Sequence, residues 1–481
     1  MPILTLWHNN TKREIPFEGT PVLGRLLREL GYAAAHPCGG RGICGKCAIR
    51  AEGALSPLTE AEEKAGTRLS CQSVLLGDAE VLLPEEKDST IELSGGETAP
   101  GMISGTGIGA AVDVGTTTIA LKLYDLATGA VLAREGAMNP QRSIAADVMG
   151  RIGAAMGGQA AMLQSMVTDS IRALLARTGQ NAVDTLVVTG NTTMLYLLTG
   201  RDPACLSRAP FLADCLFGRE DLLLGIPAYY PPCMNAFVGA DITCAVLDSG
   251  MHRKTETALL IDIGTNGEIA LWTDGKLYVT STAAGPAFEG AGISCGCGSI
   301  PGAIDRVWLD NGAVRIHTIG EEEAVGLCGS GLVDAVAVFL EREDIDETGA
   351  MDADFLPLGK KVRLLPADIR AVQLAKGAIA AGIQTLLETA GVREASIETL
   401  YIAGGFGSHL NTDSAAAIGL IPPALKEKAK ILGNAALSGA ARLLNRAEIP
   451  AAEELAKNAI HVNLGGNSRF NEHFMEAMLF E

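Results

Sequence analysis

Three closely spaced cysteines are the first residues in the sequence whose type and spacing could bind a metal centre. The segment HPCGGRGICGKC, residues 36–47, places Cys38, Cys44 and Cys47 in a C-x5-C-x2-C loop, and Cys71 follows in RLSCQ. Three thiolates on one tight loop and a fourth farther along are the ligand pattern of a [2Fe-2S] cluster. The glycines of this loop allow backbone N–H groups to turn toward the sulfurs without obstruction by a Cβ. We therefore expect these four cysteines to hold a [2Fe-2S] cluster.

The same segment has two other interpretations. From Gly40 it follows the nucleotide-binding pattern G-x-x-x-x-G-K-[ST] up to its last position, which is Cys47. That pattern needs a Ser or Thr hydroxyl there to hold magnesium, so a phosphate loop is disfavoured. Zinc also binds four cysteines, usually as two separated C-x2-C pairs. A zinc site or a purely structural role stays open as the alternative.

A second chemical pattern occurs twice along the chain. IGAAVDVGTTTIALKLYDLATG, residues 108–129, and ALLIDIGTNGEIALWTDGKLYVTS, residues 258–281, each combine an apolar run, a D-x-G-T turn and a second apolar run. Asp113 and Asp262 occupy the same place in the two copies, with a glycine two residues later and a threonine after it. Such self-similarity at domain scale predicts a duplicated strand–turn–strand unit.

The residues of these turns are suited to binding phosphate. Gly115 and Gly264 allow backbone N–H groups to face an anion. Side-chain donors follow at Thr116, Thr117, Thr118, Thr265 and Asn266. Asp113 and Asp262 would repel a phosphate, so they are explained only if Mg²⁺ or its waters lie between carboxylate and phosphate. A pair of ordinary hairpins is the alternative, which the matching second copy disfavours.

Other residues near these motifs are weaker candidates. The stretch ETLYIAGGFGSHLN, residues 398–411, places Gly404, Gly405 and Gly407 in a turn that we expect to lie under an adenine ring. Asp241 in FVGADITC has two interpretations. It is either a helix N-cap or a carboxylate in the binding cleft that polarises the water attacking the γ-phosphate. Glu268 either faces the water at the γ-phosphate or is a solvated strand residue.

Three later cysteines also invite a metal interpretation. Cys295 and Cys297 form a C-G-C sequence in GISCGCGS, and Cys328 lies in GLCGSG. Buried free thiols are the commoner explanation of such residues, and a second metal site is the alternative.

The paired loops and the late GGFG turn resemble the ASKHA superfamily of acetate and sugar kinases, Hsp70 and actin, in which two RNase H-like lobes close over ATP. An N-terminal [2Fe-2S] domain joined to such an ATPase is similar to the reductive activators of corrinoid proteins. The narrower resemblance is carried by HPCGGRGICGKC, AVDVGTTT, VVTGNTTMLYLLTG, FVGADITCAVL, LLIDIGTNGEIAL, AAGPAFEGAGISCGC, GLCGSGLVDA, VQLAKGAI and YIAGGFG. It implies that Gly329 and Ser330 of GLCGSGLVDA also belong to the nucleotide site.

The resemblance implies a fold of mixed α+β and α/β class. We expect an N-terminal β-grasp [2Fe-2S] ferredoxin domain at residues 1–86, a linker at 87–107, ASKHA lobe I at 108–255 and lobe II with a C-terminal segment at 256–481. Longer members of the family carry a middle domain between the ferredoxin domain and the ATPase. Because the linker leaves no room for it, we expect that domain to be missing here.

The implied activity is ATP-dependent, one-electron reduction of Co(II) to Co(I) in the corrinoid protein of a methyltransferase system. It also implies an external low-potential electron donor and a homodimer. Two alternatives remain: a small-molecule kinase with a redox-sensing ferredoxin domain, and a nonenzymatic electron-transfer or redox-sensing interaction protein. The intact loops at Asp113 and Asp262 argue against the last of these.

Composition limits the possible partners. The formal net charge of −18 disfavours binding to nucleic acid or to an anionic membrane surface. The N-terminal sequence lacks a basic stretch followed by an apolar one, as a secretory signal would have. Eleven cysteines, an odd number, fit a reducing compartment better than a disulfide framework. We expect a cytoplasmic protein.

Overall fold

The structure is a computed structural model that describes residues 1–8, 11–30, 32, 40, 42, 47–65, 67–83, 103–180 and 182–480. Two of the four predicted cluster ligands, Cys38 and Cys44, lie outside the described residues. Most of the predicted linker, residues 87–102, also lies outside them.

The described part of the N-terminal unit is a small five-stranded sheet with two short helices. Its elements are β1 (Ile3–His8), β2 (Thr11–Pro16), α1 (Leu23–Glu29), β3 (Ala48–Leu55), α2 (Glu60–Ala65), β4 (Arg68–Leu69) and β5 (Leu75–Leu82). The strand order is β2-β1-β5-β3-β4, with β1 and β2 forming an antiparallel hairpin and β5 parallel to β1. Leu23 and Leu27, one turn apart on α1, are buried against Leu4 and Leu6 of β1.

The first lobe is built on a six-stranded sheet. Its elements are β6 (Ile108–Val114), β7 (Thr118–Asp125), β8 (Val131–Met138), α3 (Val148–Ala154), α4 (Ala160–Arg177), β9 (Thr185–Gly190), α5 (Thr192–Leu198), β10 (Arg219–Leu223), β11 (Ile226–Tyr230) and α6 (Ala240–Ser249). The strand order is β10-β11-β9-β6-β7-β8. The central strands are buried along nearly their whole length because helices cover the sheet.

The second lobe is larger. Its elements are β12 (Ala258–Ile263), β13 (Gly267–Thr273), β14 (Lys276–Thr282), β15 (Ala303–Asp310), β16 (Ala313–Thr318), β17 (Gly326–Leu327), α7 (Gly329–Glu341), β18 (Leu356–Leu358), β19 (Val362–Leu364), α8 (Pro366–Ala390), β20 (Thr399–Ala403), α9 (Thr412–Ala417), β21 (Ala429–Gly433), α10 (Ala435–Arg442), α11 (Ile449–Asn458), β22 (Ile460–His461) and α12 (Ser468–Glu476). Its main sheet has the order β21-β20-β12-β13-β14-β22.

The two main sheets repeat one arrangement. In the first lobe β6 pairs antiparallel with β7 and parallel with β9. In the second, β12 pairs in the same two ways with β13 and β20. Asp113 and Asp262 therefore lie at equivalent positions, one residue before the end of the first strand in each lobe. The sequence repeat is thus a repeat of structure.

Helices α6 and α10 cross between the lobes. Gly439 of α10 lies so close to the backbone of Cys244 in α6 that a Cβ there would overlap the Cys244 carbonyl oxygen. Helix α10 belongs to the second lobe in sequence but packs against β6, β7 and β9 of the first. One apolar core therefore contains side chains of both lobes, including Tyr124 and Leu437.

The described end of the predicted linker begins with a buried residue and continues with exposed ones, residues 104–107. Ile103 is buried in the core that contains the crossing helices. Among the residues that the structure describes, no helix combines the length and apolar character needed to cross a bilayer.

Candidate nucleotide site and cluster loop

The first D-x-G-T loop is held by hydrogen bonds that close it into a tight turn. The backbone N–H of Gly115 donates to the carbonyl of Thr118 at 2.9 Å. Asn139, which follows β8, donates from its backbone N to the Thr117 carbonyl at 2.8 Å and from Nδ2 to the Gly115 carbonyl at 2.8 Å. The loop geometry is therefore set before any ligand binds.

Thr116 connects this loop to two helices. The buried guanidinium of Arg151 in α3 donates to the Thr116 carbonyl at 2.5 Å, and burial lowers the pKa of Arg151 to about 9. Asn191, the N-cap of α5, donates to the Thr116 hydroxyl at 3.1 Å. The sequence patterns did not indicate Arg151, Asn139 or Asn191.

The second loop has a related turn. The N–H of Gly264 donates to the carbonyl of Asn266 at 3.1 Å, and the Thr265 carbonyl accepts from Gly285 at 2.9 Å. The side chain of Asn266 hydrogen-bonds Glu268, which opposes the rise in the pKa of that glutamate. Of the predicted phosphate donors, Asn266 is therefore already engaged with a carboxyl group.

One residue that the sequence patterns did not single out joins the two loops. Glu289 accepts a hydrogen bond from Thr117 Oγ1 to Oε2 at 2.6 Å. Thr265 Oγ1 lies 3.0 Å from Oε1 and 3.1 Å from Oε2 of the same carboxylate. Glu289 thus contacts one threonine from each lobe.

The four predicted catalytic carboxylates come together in the cleft between the lobes. Burial raises the pKa of Asp113 to about 6, and Asn434 Nδ2 opposes the rise by donating to Asp113 Oδ2 at 3.0 Å. Burial, then the charges of Asp113 and Glu289, raise the pKa of Asp262 to about 7.

The pKa values of the other two carboxylates are also raised. Burial raises the pKa of Asp241 to about 8, with the negative charges of Asp262 and Asp113 adding to the rise. Burial and the charges of Asp241 and Asp262 raise the pKa of Glu268 well above its ordinary value.

The helix crossing explains this convergence. Asp241 lies in the first turn of α6, which belongs to the first lobe, but its strongest charge interaction is with Asp262 of the second. Asn434, the N-cap of α10 in the second lobe, bonds Asp113 of the first. Each crossing helix therefore begins beside the loop aspartate of the opposite lobe.

The structure decides between the two interpretations offered for Asp241 and Glu268. Gly239 and not Asp241 is the N-cap of α6, and the Asp241 carboxylate accepts from the N–H of Ile242 at 2.9 Å. Glu268 is only 7% exposed, so it is not a solvated strand residue. Both therefore lie in the cleft, whereas the catalytic role of each stays a prediction.

A divalent cation fits this group of carboxylates on electrostatic grounds. Carboxyl groups held close together in a desolvated cleft raise one another's pKa, because each negative charge disfavours ionisation of the next. A nearby cation would lower these pKa values again. Within the described ranges, no three carboxyl, imidazole or thiol side chains are close enough together to hold one ion. Ligation by two carboxylates together with phosphate and water is typical of Mg²⁺.

The Gly-rich turn after β20 abuts the second loop. Gly404 has a φ of +94°, and a Cβ on it would lie 2.6 Å from Asp262 Oδ1. Phe406 of the same turn stacks on Phe288, with ring centroids 5.1 Å apart and planes at 12°. Gly407 also lacks room for a Cβ because Ile402 packs against it, whereas Gly405 is exposed.

The start of α7 completes this side of the cleft. A Cβ on Gly329 would overlap the carbonyl of Phe288 and the ring of Phe406, so only glycine fits there. The Ser330 hydroxyl, by contrast, is buried and donates to the Asp305 carbonyl at 3.0 Å. Its role as a nucleotide ligand is a prediction that this hydrogen bond does not favour.

Two of the four predicted cluster ligands lie within the described residues, and they are adjacent. The pairing of Ala48 in β3 with Leu69 in β4 brings together Cys47 and Cys71, whose sulfurs are 3.2 Å apart. Gln72 supports the loop by donating from Nε2 to the Gly40 carbonyl at 2.6 Å, and the same nitrogen lies 3.7 Å from Cys71 Sγ. Converging thiols with an amide donor beside them fit a cluster site.

The later cysteines do not form a comparable site. Cys328 is buried, and its thiol donates to the Ile304 carbonyl at 3.3 Å. Cys295 and Cys297 are half-buried in a loop whose backbone pairs with Leu327. These contacts favour the interpretation as thiols packed in the protein interior and not as metal ligands.

Three family models together match most of the chain. A "2Fe-2S iron-sulfur cluster binding domain" matches residues 8–76, the "RACo middle region" matches 108–254 and the "C-terminal domain of RACo the ASKHA domain" matches 256–481. These matches confirm the predicted fold class of a ferredoxin domain followed by an ASKHA unit.

Whole-chain comparisons agree with the family models. The corrinoid activation enzyme RamQ of Eubacterium limosum is 33% identical over 417 residues, which cover 77% of this chain and 70% of that protein. A Methanosarcina barkeri protein named [Co(II) methylated amine-specific corrinoid protein] reductase is 26% identical over 76% of each chain. The solved structure of a reductive activator for corrinoid, iron-sulfur protein aligns with a TM-score of 0.72 and 26% identity, covering 100% of this chain and 98% of that one.

The expected absence of a middle domain is wrong. The RACo middle region matches residues 108–254, the segment that the sequence suggested was the first ASKHA lobe. No extra domain is inserted after the linker, because the middle region is itself the first of the two similar sheets.

Proposed function

The chain belongs to the RACo family of corrinoid-activating proteins, and on that basis we propose that it reduces Co(II) of a corrinoid protein to Co(I) by one electron in an ATP-dependent reaction. The main support is that one chain joins a cluster-binding domain to a cleft lined by paired phosphate loops and buried carboxylates. A protein that only carried electrons would not need the cleft with its phosphate loops and carboxylates.

The N-terminal domain has the residues for the redox step. A [2Fe-2S] cluster, when bound, supplies a single electron. Cys47 and Cys71 would hold it together with Cys38 and Cys44. Gln72 fixes the loop through Gly40 and places an amide donor beside the Cys71 sulfur. Hydrogen bonds to cluster sulfurs are one of the means by which a protein sets the reduction potential.

The cleft has the residues for nucleotide hydrolysis. Gly115, Thr117, Gly264 and Thr265 would contact phosphate oxygens, with Thr116, Thr118, Asn266, Gly329 and Ser330 as further candidates. Asp113 and Asp262 would hold Mg²⁺ or its waters between themselves and the phosphates.

Asp241 and Glu268 would act on the attacking water. A general base works best when its pKa lies near the working pH, and the pKa of Asp241 is about 8. Gly404, Gly405 and Gly407 would lie under the adenine.

ATP is proposed to act on conformation and not to phosphorylate an acceptor. Shifting a population from 1:99 to 99:1 takes about 5.5 kcal/mol. For transfer of one electron, that free energy offsets a difference in reduction potential of roughly 240 mV, since about 59 mV corresponds to a factor of ten in the equilibrium constant. Closure of the two lobes on the corrinoid protein would therefore suffice to drive an unfavourable electron transfer of that size.

Several finer points are part of the same proposal. We place the domain boundaries at residues 86, 107 and 255. We further propose an external low-potential electron donor and a homodimer.

The direct test is anaerobic reduction of the corrinoid protein of a methyltransferase system. The reaction is monitored through the absorption of Co(I). With a low-potential reductant, the iron-loaded chain should form Co(I) with Mg-ATP and little with ADP or no nucleotide. Equal rates without nucleotide would contradict the proposal. Transfer of labelled phosphate from ATP to a stable acceptor at the same rate would instead support the kinase alternative.

A further inference from the structure

The short turn Ala287–Glu289, between β14 and β15, reaches both phosphate loops. Its last residue, Glu289, accepts from Thr117 of the first lobe at 2.6 Å. The same carboxylate lies 3.0 and 3.1 Å from the hydroxyl of Thr265 in the second lobe. A single side chain therefore bridges the cleft at the two hydroxyls that are the proposed phosphate donors.

A threonine hydroxyl carries one hydrogen and can donate to one acceptor at a time. If Thr117 and Thr265 donate to phosphate oxygens, they must release Glu289. A carboxylate and a phosphate also repel each other at hydrogen-bond separation. The Glu289 bridge and phosphate contacts from both threonines therefore exclude each other.

We propose that Glu289 is a positioning residue that competes with the nucleotide: its carboxylate joins the two loops until phosphate displaces it. The displacement then moves the turn Ala287–Glu289. The inference rests on the proposed function, because it takes Thr117 and Thr265 to be phosphate donors.

The turn is packed so that its movement affects the rest of the cleft. Phe288, next to Glu289, stacks on Phe406 of the Gly-rich turn with ring centroids 5.1 Å apart. Its carbonyl lies against Gly329 at the start of α7, where no Cβ fits. A Cβ on the neighbouring Gly290 would likewise overlap the backbone of Cys297. Release of Glu289 therefore changes the surroundings of the adenine turn and the α7 terminus together.

Such competition has a measurable effect on affinity. Only molecules with the bridge open bind phosphate through both threonines, so the apparent dissociation constant is divided by the open fraction. If the bridge is closed in about nine molecules out of ten, nucleotide binds about tenfold more weakly than it would without Glu289.

The test is calorimetric titration of the full-length, iron-loaded protein with a magnesium-bound, non-hydrolysable ATP analogue. Glu289→Ala should bind it about tenfold more tightly than wild type. Glu289→Gln keeps the size and one acceptor oxygen but loses the charge, so it should also bind more tightly. Glu341→Gln, at the exposed end of α7, is the matched control and should bind like wild type.

Hydrogen exchange at residues 287–290 gives a second measurement that a merely structural role would not change. In wild type the analogue should speed exchange there, whereas in Glu289→Ala exchange should be fast already and should not respond. Unchanged or weaker binding by the Glu289→Gln variant, which is nearly isosteric and so is expected to fold, would overturn the inference. So would a wild-type turn that does not respond to the analogue.

The assay contains no corrinoid protein, so failure of corrinoid reduction would leave its result intact. A wild-type protein that binds no nucleotide would overturn both this inference and the proposed function.

Discussion

At the scale of single residues, the cleft keeps carboxyl groups partly protonated near neutral pH. Burial raises the pKa of Asp113 to about 6, and burial together with the charges of neighbouring carboxylates raises the pKa values of Asp262 and Asp241 to about 7 and 8. An acid whose pKa is higher in the folded state than its ordinary value of 3.8 binds more protons when folded. Its contribution to stability is therefore lost as the pH rises from about 4 through the folded pKa.

Asp241→Asn should separate stability from activity. In the absence of divalent cations, we expect the variant to be more stable than wild type by about 1–2 kcal/mol at pH 8, because one ionisable carboxyl is removed from a repulsive group. At pH 5.5 the difference should be smaller, since only part of the stability loss that accumulates between about pH 4 and pH 8 has then occurred. Nucleotide hydrolysis should fall at least about 100-fold. Urea unfolding at both pH values and phosphate release measure the two effects.

Asp354→Asn changes an exposed aspartate in the second lobe and serves as the control. It should leave both stability and hydrolysis within error of wild type. An Asp241→Asn variant that hydrolyses nucleotide normally would contradict the role proposed for Asp241.

At the scale of secondary-structure elements, the crossing of α6 and α10 depends on one glycine. A Cβ on Gly439 would overlap the backbone carbonyl of Cys244 and lie 2.7 Å from its Cα. Backbone atoms cannot move aside as a flexible side chain does. Because Asp241 and Asn434 lie at the starts of these helices, the distance between the helices also sets the positions of the groups beside Asp262 and Asp113.

Gly439→Ala should therefore lower the unfolding free energy by about 1–3 kcal/mol through overpacking. It should also weaken nucleotide binding, because the starts of α6 and α10 would be forced apart. Chemical denaturation and titration with nucleotide measure the two changes.

Gly153→Ala is the matched control for this substitution. Gly153 lies in α3, and nothing is within 4 Å of the position that a Cβ would take. There alanine should stabilise the protein by roughly 0.5–1 kcal/mol through helix propensity. A stable Gly439→Ala variant would show that the helix crossing can relax.

The parts of the fold that were predictable from the sequence are those encoded locally. Each D-x-G-T turn lies between two apolar runs. This local pattern predicted the strands β6, β7, β12 and β13, and it placed Asp113 and Asp262 at the ends of β6 and β12. Strand β3 was not predicted, because its exposed glutamate and glycine interrupt the alternation that indicates a strand.

The missed site residues are those brought in by distant parts of the chain. Glu289 is 172 residues from Thr117, and Asn434 is 321 residues from Asp113. No local pattern encodes such contacts.

At the scale of the whole molecule, the redox and nucleotide functions use separate groups of residues. Cys47 lies just before β3 and Cys71 just after β4 of the N-terminal unit, whose core contains only residues of that unit. The carboxylates and threonines of the cleft come from the two lobes. Loss of one function should therefore leave the other measurable.

Cys71→Ser should remove cluster binding and corrinoid reduction while leaving nucleotide binding within about twofold of wild type. Iron and acid-labile sulfide analysis, with EPR of the reduced protein, report the cluster. Cys295→Ser is the control and should keep the full iron content. Loss of iron from Cys295→Ser would contradict the interpretation of that residue as a free thiol.

The position of α10 also constrains how the protein is made. This helix supplies part of the core beneath β6 and β9, although it lies far beyond them in the sequence. During synthesis, strands of the first lobe leave the ribosome long before the helix that covers them. The first lobe must then wait, with apolar surface exposed, until α10 has emerged.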